Sequence, residues 1–258
     1  MSDGFFVADL PADVAAGDTV VLTGSEARHA GVVRRLRVGE RLTVTDGAGR
    51  GVRGAVASLG REAVEVRVDE VLVEPEGRPR ITVVQALPKN DRVAQAIDLM
   101  TEVGVDAIVP WQAARSVVKW AGERAEASRA KWEIIARESS KQARRLRFPH
   151  IGPLATTADV AGLIASSPCA LVMHEAATVP LAAADLSGAS DLLIVIGPEG
   201  GLTPEEVDAF ARAGGITYSL GPTVLRTSTA GAVAAVQART LWQCDRGTVL
   251  LSHRGVLT

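Results

Sequence analysis

The stretch Asp191-Leu-Leu-Ile-Val-Ile-Gly-Pro-Glu-Gly-Gly-Leu-Thr-Pro-Glu-Glu206 carries an apolar run, a glycine turn and a helix start in immediate succession. Leu192 to Ile196 are uninterrupted and largely β-branched, which suits a strand buried on both faces of a mainly parallel sheet. The run stops at Gly197-Pro198. Thr203 can cap a helix, Pro204 fits its first position, and Glu206 stands where a capping-box carboxylate reaches back, so the helix start is specified three ways. In an open α/β sheet, ligands bind beyond the carboxyl ends of the strands, and Gly197, Gly200 and Gly201 leave backbone there that a ligand can approach. A tight strand-to-helix connection without a ligand would use the same residues, and the stretch alone does not choose between the two.

Working outward, the same alternation recurs. Ile216 to Leu220 reads as the last strand, running into Gly221-Pro222, and the hydroxyls of Thr227, Ser228 and Thr229 suit the N-terminus of a helix after Leu225-Arg226. The small residues from Ala230 to Ala235 imply close packing, at a dimer interface or a tight chain crossing. Cys169 to Met173 reads as a buried strand ending at His174-Glu175. Ile81 to Leu87 opens the series. Val93, Ala96, Ile97, Met100 and Val103 fall at helical spacing, so Asp91 to Val103 is expected to be an amphipathic helix with Gly104 beyond its end, and Ala107 to Val109 a short strand. Three strand ends, His174-Glu175, Gly197 to Gly201 and Gly221 to Arg226, could then form one pocket.

The first part of the chain follows a different pattern. Phe5 to Val7, Thr19 to Leu22, Leu42 to Thr45, Val52 to Val56 and Ala63 to Val73 are short β segments that suggest a small barrel or sandwich. Glu74 to Arg80, rich in Pro, Gly and charge, marks a boundary between a domain over residues 1–73 and an α/β domain over 80–258. Ser25 to Arg37 is predicted to be one helix with Ser25 near its cap. Its Arg28, Arg34, Arg35 and Arg37 could meet a phosphate backbone or form a solvated face, the commoner meaning of such a run. A second helix is predicted from about Gly122 to Arg147, with Trp132, Ile135, Ala136, Ser139 and Ala143 on one side and a basic stripe of Arg137, Lys141, Arg144 and Arg145 on the other.

Composition narrows the functional classes. A formal net charge of −2 excludes a globally basic nucleic-acid binder, so affinity for phosphates must come from local clusters. With 3% aromatic residues, RNA would be held by charge and shape more than by stacking. Cys169 and Cys244 are the only cysteines, which suits a reducing cytoplasm, and His29, His150, His174 and His253 are scattered without ligand spacing, so no metal is expected. The N-terminus lacks the form of a signal peptide and no apolar run is long enough to span a bilayer, so no membrane role is expected. The phosphate-loop, dinucleotide and nucleophile-elbow fingerprints are absent.

Several motifs in order carry a resemblance: Lys89-Asn-Asp-Arg92, Asp98 to Gly104, Arg115-Ser116, Arg137-Glu-Ser-Ser-Lys-Gln142, Ile196-Gly-Pro-Glu-Gly-Gly201, Leu220-Gly-Pro222 and Leu225-Arg-Thr227. Together with Phe5 to Val7, His29, Val33 to Gly39 and Asp46-Gly47, they make the chain similar to the RsmE family, over nearly its full length. The resemblance implies a SPOUT-class, trefoil-knotted α/β methyltransferase domain joined to a small N-terminal PUA-like β-barrel. It also implies transfer of a methyl group from S-adenosylmethionine to N3 of a uridine in 16S rRNA of the small ribosomal subunit, by a cytoplasmic homodimer.

By motif, the cofactor loops fall on Leu171, Val172, His174 and Glu175, on Ile196, Gly197, Pro198, Glu199, Gly200 and Gly201, and on Leu220, Gly221, Leu225 and Arg226. RNA contacts are expected at Arg28, His29, Arg34, Arg35, Arg37, Lys89, Arg92, Arg137, Lys141, Arg144 and Arg145. Two positions depart from the family pattern, with Ser228 in place of a glutamate and Asn90 in place of a glycine. Methylating N3 requires removal of its proton and stabilisation of the uracil anion, for which Arg226 is the first candidate cation, with Arg92 or Arg144 next, and Glu199 or a water molecule the candidate proton acceptor. The competing readings are a non-catalytic RNA-binding assembly protein and a related enzyme acting on another base or a ribose.

Overall fold

A computed structural model describes residues 3–75 and 77–245. Its contacts separate two compact units, one comprising the first 76 residues with Arg137–Phe148, the other Gly77–Ala136 with the chain from Pro149 onward.

In the first unit, strands β1 (Gly4–Val7), β2 (Thr19–Thr23), β3 (Arg41–Thr45), β4 (Arg50–Leu59) and β5 (Ala63–Val73) form one mixed sheet in the order β1-β3-β4-β5-β2. Only β1 and β3 run parallel. Alternation sets the buried face: Val64, Val66 and Val68 point inward between exposed Glu65, Arg67 and Asp69. Register shifts at Arg53/Gly54 and Val56/Ser58 bend the long β4–β5 pair, as bulges do.

The predicted single helix over Ser25–Arg37 is not formed. A short α1 (Gly24–Arg28) passes into a π-helical turn at His29–Val33, where the Arg34 amide reaches the His29 carbonyl five residues back at 2.8 Å. The segment ends at Arg35, whose φ is 51°. Thr23, not Ser25, occupies the cap position, and it makes no side-chain cap bond.

The second unit is built on an all-parallel six-stranded sheet, ordered β11 (Ile216–Tyr218), β9 (Ala170–Met173), β10 (Asp191–Ile196), β6 (Arg80–Ala86), β7 (Ala107–Trp111) and β8 (His150–Ile151). Helices cover both faces. Ile81, Val83, Leu192 and Ile194 share a core with α2 (Val93–Glu102) and α6 (Thr227–Asp245), while Val84, Val172 and Val195 pack with Val160 of α4 (Thr157–Ser166) and Phe210 of α5 (Pro204–Arg212). Burial on both faces is what the unbroken apolar run of β10 anticipated.

The small residues of α6 pack inside the chain. Ala234, Ala235 and Ala238 are fully buried, and a Cβ on Gly231 would come within 2.9 Å of the Met100 sulfur. Arg239 fastens the same helix to the end of α2 by donating to the Val103 and Gly104 carbonyls. Burial pulls its guanidinium below the usual arginine range, against the opposing attraction of Asp106.

Helix α3 (Glu123–Gln142) is shorter than predicted. Two residues past its end the chain turns at Arg144, with φ 53°, so the periodicity read through to Arg147 overran the helix.

Candidate functional site

Because β9, β10 and β11 are parallel neighbours, the loops that leave them emerge together at one sheet edge. There they enclose a cavity of about 480 Å³, lined by Met173 to Glu175, by Ile196 to Glu199 with Gly201 and Leu202, and by Ser219 to Thr227 with Ala230. That volume lies within the usual range for small-ligand sites. The three strand ends singled out in the sequence therefore do meet.

Each glycine of the central loop has its own reason. Gly201 sits at φ 70°, a left-handed conformation that suits glycine, and a Cβ there would stand 3.0 Å from the Glu175 carboxylate. A Cβ on Gly197 would press on the Leu202 side chain at 2.9 Å, and one on Gly200 would meet Arg115 Cβ at 3.1 Å. The bare backbone at Gly197 and Gly200 thus admits neighbouring side chains of the protein. Gly200 does not line the cavity. Leu171 and Val172 do not line it either: they are 1% and 0% exposed inside β9, whose alternating side chains belong to the two cores. The wall of the cavity begins one residue later, at Met173.

The loop after β10 is held from outside by Arg115, to which the sequence reading assigned no role, and by Glu206, which does more than the capping expected of it. Arg115 donates from one guanidinium nitrogen to the carbonyls of Gly200 at 3.0 Å and Leu202 at 3.2 Å. Glu206, 3% exposed, completes the capping box with Thr203 and accepts from the Ala114 amide at 2.8 Å and the Thr157 hydroxyl at 3.3 Å. Its carboxylate therefore ties the start of α5 to the segment that carries Arg115. Arg115-Ser116 was visible as a motif, but hydrophobic periodicity gives no sign that it reaches another loop's carbonyls.

Seven lining residues, His174, Glu175, Glu199, Ser219, Thr223, Arg226 and Thr227, carry polar side chains. The His174 ring accepts the Ala176 amide at Nδ1 (3.1 Å), which leaves Nε2 as its donor. Glu199 accepts the Lys89 amide at Oε1 (3.3 Å), and Oε2 has no hydrogen-bond partner among the described residues. Thr227 donates to the Gly197 carbonyl at 3.2 Å, joining the loop after β10 to the first turn of α6. Arg226 is exposed, lines the cavity and makes no side-chain hydrogen bond or ion pair among the described residues. Lys89 and Arg92 lie outside the cavity lining.

The expected RNA contacts divide sharply in the first unit. Arg28, Arg34, Arg35, Arg37 and Arg144 are exposed, while Arg145 and His29 are half-buried, His29 edge-on to Phe6 with ring centroids 5.7 Å apart. Lys141 departs from the expected stripe. Its side chain is 6% exposed and bonds Glu26 Oε1 at 3.0 Å, and Arg137 donates to the same oxygen at 3.1 Å. Burial pushes the Glu26 carboxyl up, but Lys141, Arg137 and the Val7 amide together hold it below its ordinary range. The centre of the basic stripe is thus an internal ion pair, a pairing of distant residues that helical periodicity cannot reveal. His253 lies outside the described residues, and among those described no three His, Cys, Asp or Glu side chains group as metal ligands.

An all-parallel sheet with a loop-lined cavity at its carboxyl edge defines the class, an α/β protein built to hold a small ligand beyond its strand ends. The sequence matches the RNA methyltransferase domain family over residues 75–239 and the RNA methyltransferase PUA domain family over residues 22–69. It is 43% identical to the ribosomal RNA small subunit methyltransferase E of Mycobacterium tuberculosis, covering 89% of this chain and 88% of that protein, and 30% identical to its Bacillus subtilis counterpart, covering 88% and 91%. The chain belongs to the ribosomal RNA small subunit methyltransferase E family. The Neisseria gonorrhoeae member bound to S-adenosyl methionine superposes with a TM-score of 0.82 at 27% identity, over 93% of this chain and 98% of that one. A methyltransferase of Legionella pneumophila in complex with the same cofactor gives 0.83 at 26% identity, over 93% and 98%.

Proposed function

We propose that this protein uses S-adenosylmethionine to methylate N3 of a uridine in 16S rRNA of the small ribosomal subunit. In this reading residues 1–73 form the RNA-binding PUA-like domain, residues 80–258 form the knotted methyltransferase domain, and the enzyme acts as a homodimer in the cytoplasm. The observation that carries it is the cavity itself, lined both by Arg226, whose guanidinium has no partner among the described residues, and by Glu199, one of whose carboxylate oxygens is engaged by the Lys89 amide.

The residues present suit the cofactor. Met173, Ile196, Leu202, Leu220 and Leu225 offer apolar walls for a nucleoside, His174 Nε2 offers a donor, and Glu175 and Glu199 offer negative charge to a sulfonium or an amine. When bound, the cofactor supplies an electrophilic methyl group. The chain's own residues supply the rest. Arg226, at the N-terminal end of α6, stabilises negative charge on the uracil oxygens as the N3 proton departs, aided by the positive end of the helix dipole. Glu199 receives that proton at Oε2, since Oε1 is already engaged by the Lys89 amide. The restraints from Arg115 and Thr227 keep the loop that bears Glu199 in one conformation, so the proton acceptor stays fixed relative to Arg226.

Calorimetric titration with S-adenosylmethionine, paired with turnover by Arg226→Ala at saturating RNA, tests the reading. Intact cofactor binding with turnover reduced about 100- to 1,000-fold is expected for a lost anion-stabilising donor. Failure of the wild-type protein to bind the cofactor, or full activity in the variant, would contradict it.

A further inference from the structure

Ser228, in the first turn of α6, does not line the cavity. It is 3% exposed, and its hydroxyl donates to Gln95 Oε1 at 3.1 Å. The same oxygen accepts a guanidinium hydrogen of Arg92, also at 3.1 Å. One amide oxygen, on α2, thus joins a buried hydroxyl of α6 to a half-buried arginine just before α2. Both of its lone-pair directions are used, and the only hydroxyl proton of Ser228 is committed to it.

The position of this trio gives it a consequence. The Arg92 amide closes a turn onto the Lys89 carbonyl at 2.8 Å, and the Lys89 amide bonds the cavity residue Glu199. At the other end, Ser228 follows Thr227, which lines the cavity and bonds Gly197. The segment from Lys89 to Gln95 is therefore fastened at both ends to the loops that build the cavity, with Arg92 between. Asp91 lies 3.6 Å from the Arg92 guanidinium, but its side chain is 73% exposed, so solvent screens the pair.

Building on the RNA methyltransferase reading, we propose that Gln95 is a positioning residue. Anchored by Ser228, it holds the Arg92 guanidinium, which lies outside the cavity lining, as a contact for the RNA backbone flanking the target nucleotide. A neutral amide suits this task because it fixes the guanidinium fork without cancelling its charge. A carboxylate in its place would hold the fork at least as firmly but would compete with the phosphate.

The contrast supplies the test, which uses the full-length enzyme in steady-state methylation with each substrate varied separately. Gln95→Leu is expected to raise the KM for RNA by roughly five- to tenfold, as for one weakened charged hydrogen bond, with kcat and the KM for S-adenosylmethionine unchanged. Gln95→Glu, which preserves both hydrogen bonds, should also raise the KM for RNA. It should lower the salt dependence of RNA binding by about one charge, as Arg92→Ala does. In an Arg92→Ala background neither Gln95 variant should have a further effect. The proposal is overturned if Gln95→Leu acts equally in that background, if both KM values move together, or if Gln95→Glu leaves RNA binding at the wild-type level. Wild-type turnover on the same RNA is measured first. Its absence would overturn the enzymatic reading, and this proposal with it, before any variant is compared.

Discussion

Replacing Glu26 should unsettle the N-terminal unit far more than its place in a charged, arginine-rich sequence implies. Its side chain is 9% exposed and that of Lys141 is 6%, with 3.0 Å between the charged atoms. At an effective dielectric of about 20, Coulomb attraction at that distance is roughly 5–6 kcal/mol, set against a desolvation penalty of several kcal/mol for each ion. The pair as a whole thus contributes little net stability, but removing one partner leaves a buried charge uncompensated, at a cost of about 3–5 kcal/mol. Glu26→Gln falls near the lower end of that range, because Lys141 retains Glu138 at 3.4 Å, a partner whose side chain is 54% exposed. Lys141→Met costs less, since Glu26 keeps Arg137 and the Val7 amide. The double variant should be less destabilised than the two single effects added together.

Native-state hydrogen exchange followed peptide by peptide over β1 and β3 to β5 reports the stability of this unit locally and is the suitable assay. The sign of the pH dependence follows from the lowered carboxyl of Glu26. Its contribution is full above the ordinary carboxylate range and is lost as pH falls through the depressed folded value. Wild type and Glu26→Gln should therefore converge in acid. Single variants costing under about 1 kcal/mol, like an exposed pair, would refute this account. So would a Lys141→Met protein of wild-type stability whose RNA affinity and salt dependence both fall.

Three further outcomes follow from the cavity. Gly201→Ala should lose about 1–2 kcal/mol through its left-handed backbone and bind S-adenosylmethionine more weakly, as thermal denaturation and calorimetry would register. Arg115→Met should raise the Kd for S-adenosylmethionine while leaving kcat at saturating cofactor near wild type, because it frees the Gly200 and Leu202 carbonyls without removing a group from the cavity. Thr203→Ala should destabilise the second unit by about 1 kcal/mol in urea denaturation, the usual worth of an N-cap side chain.

Much of the second unit was legible because local chemistry and tertiary structure agree there. The β10 run is buried on both faces, and Thr203, Pro204 and Glu206 begin α5 where the capping signals place it. The cavity's three walls were legible because parallel strands must deliver their loops to one edge. The sequence concealed what depends on distant partners. Lys141 has the periodicity of a surface stripe, but its partner lies 115 residues away. Leu171 and Val172 adjoin the site in sequence, but strand pleating turns them into the two cores. The arginine-rich stretch after Gly24 has helical composition, yet it forms one α turn and then a π turn, a distinction that turns on hydrogen-bond register and leaves no mark in composition.

The most direct test of the central claim is methylation of small ribosomal subunits, purified from cells lacking this protein, with labelled S-adenosylmethionine, followed by nucleoside analysis of the rRNA. The account predicts label in N3-methyluridine at a single site. Label in a ribose or another base, or no label from a protein that binds the cofactor, would contradict it.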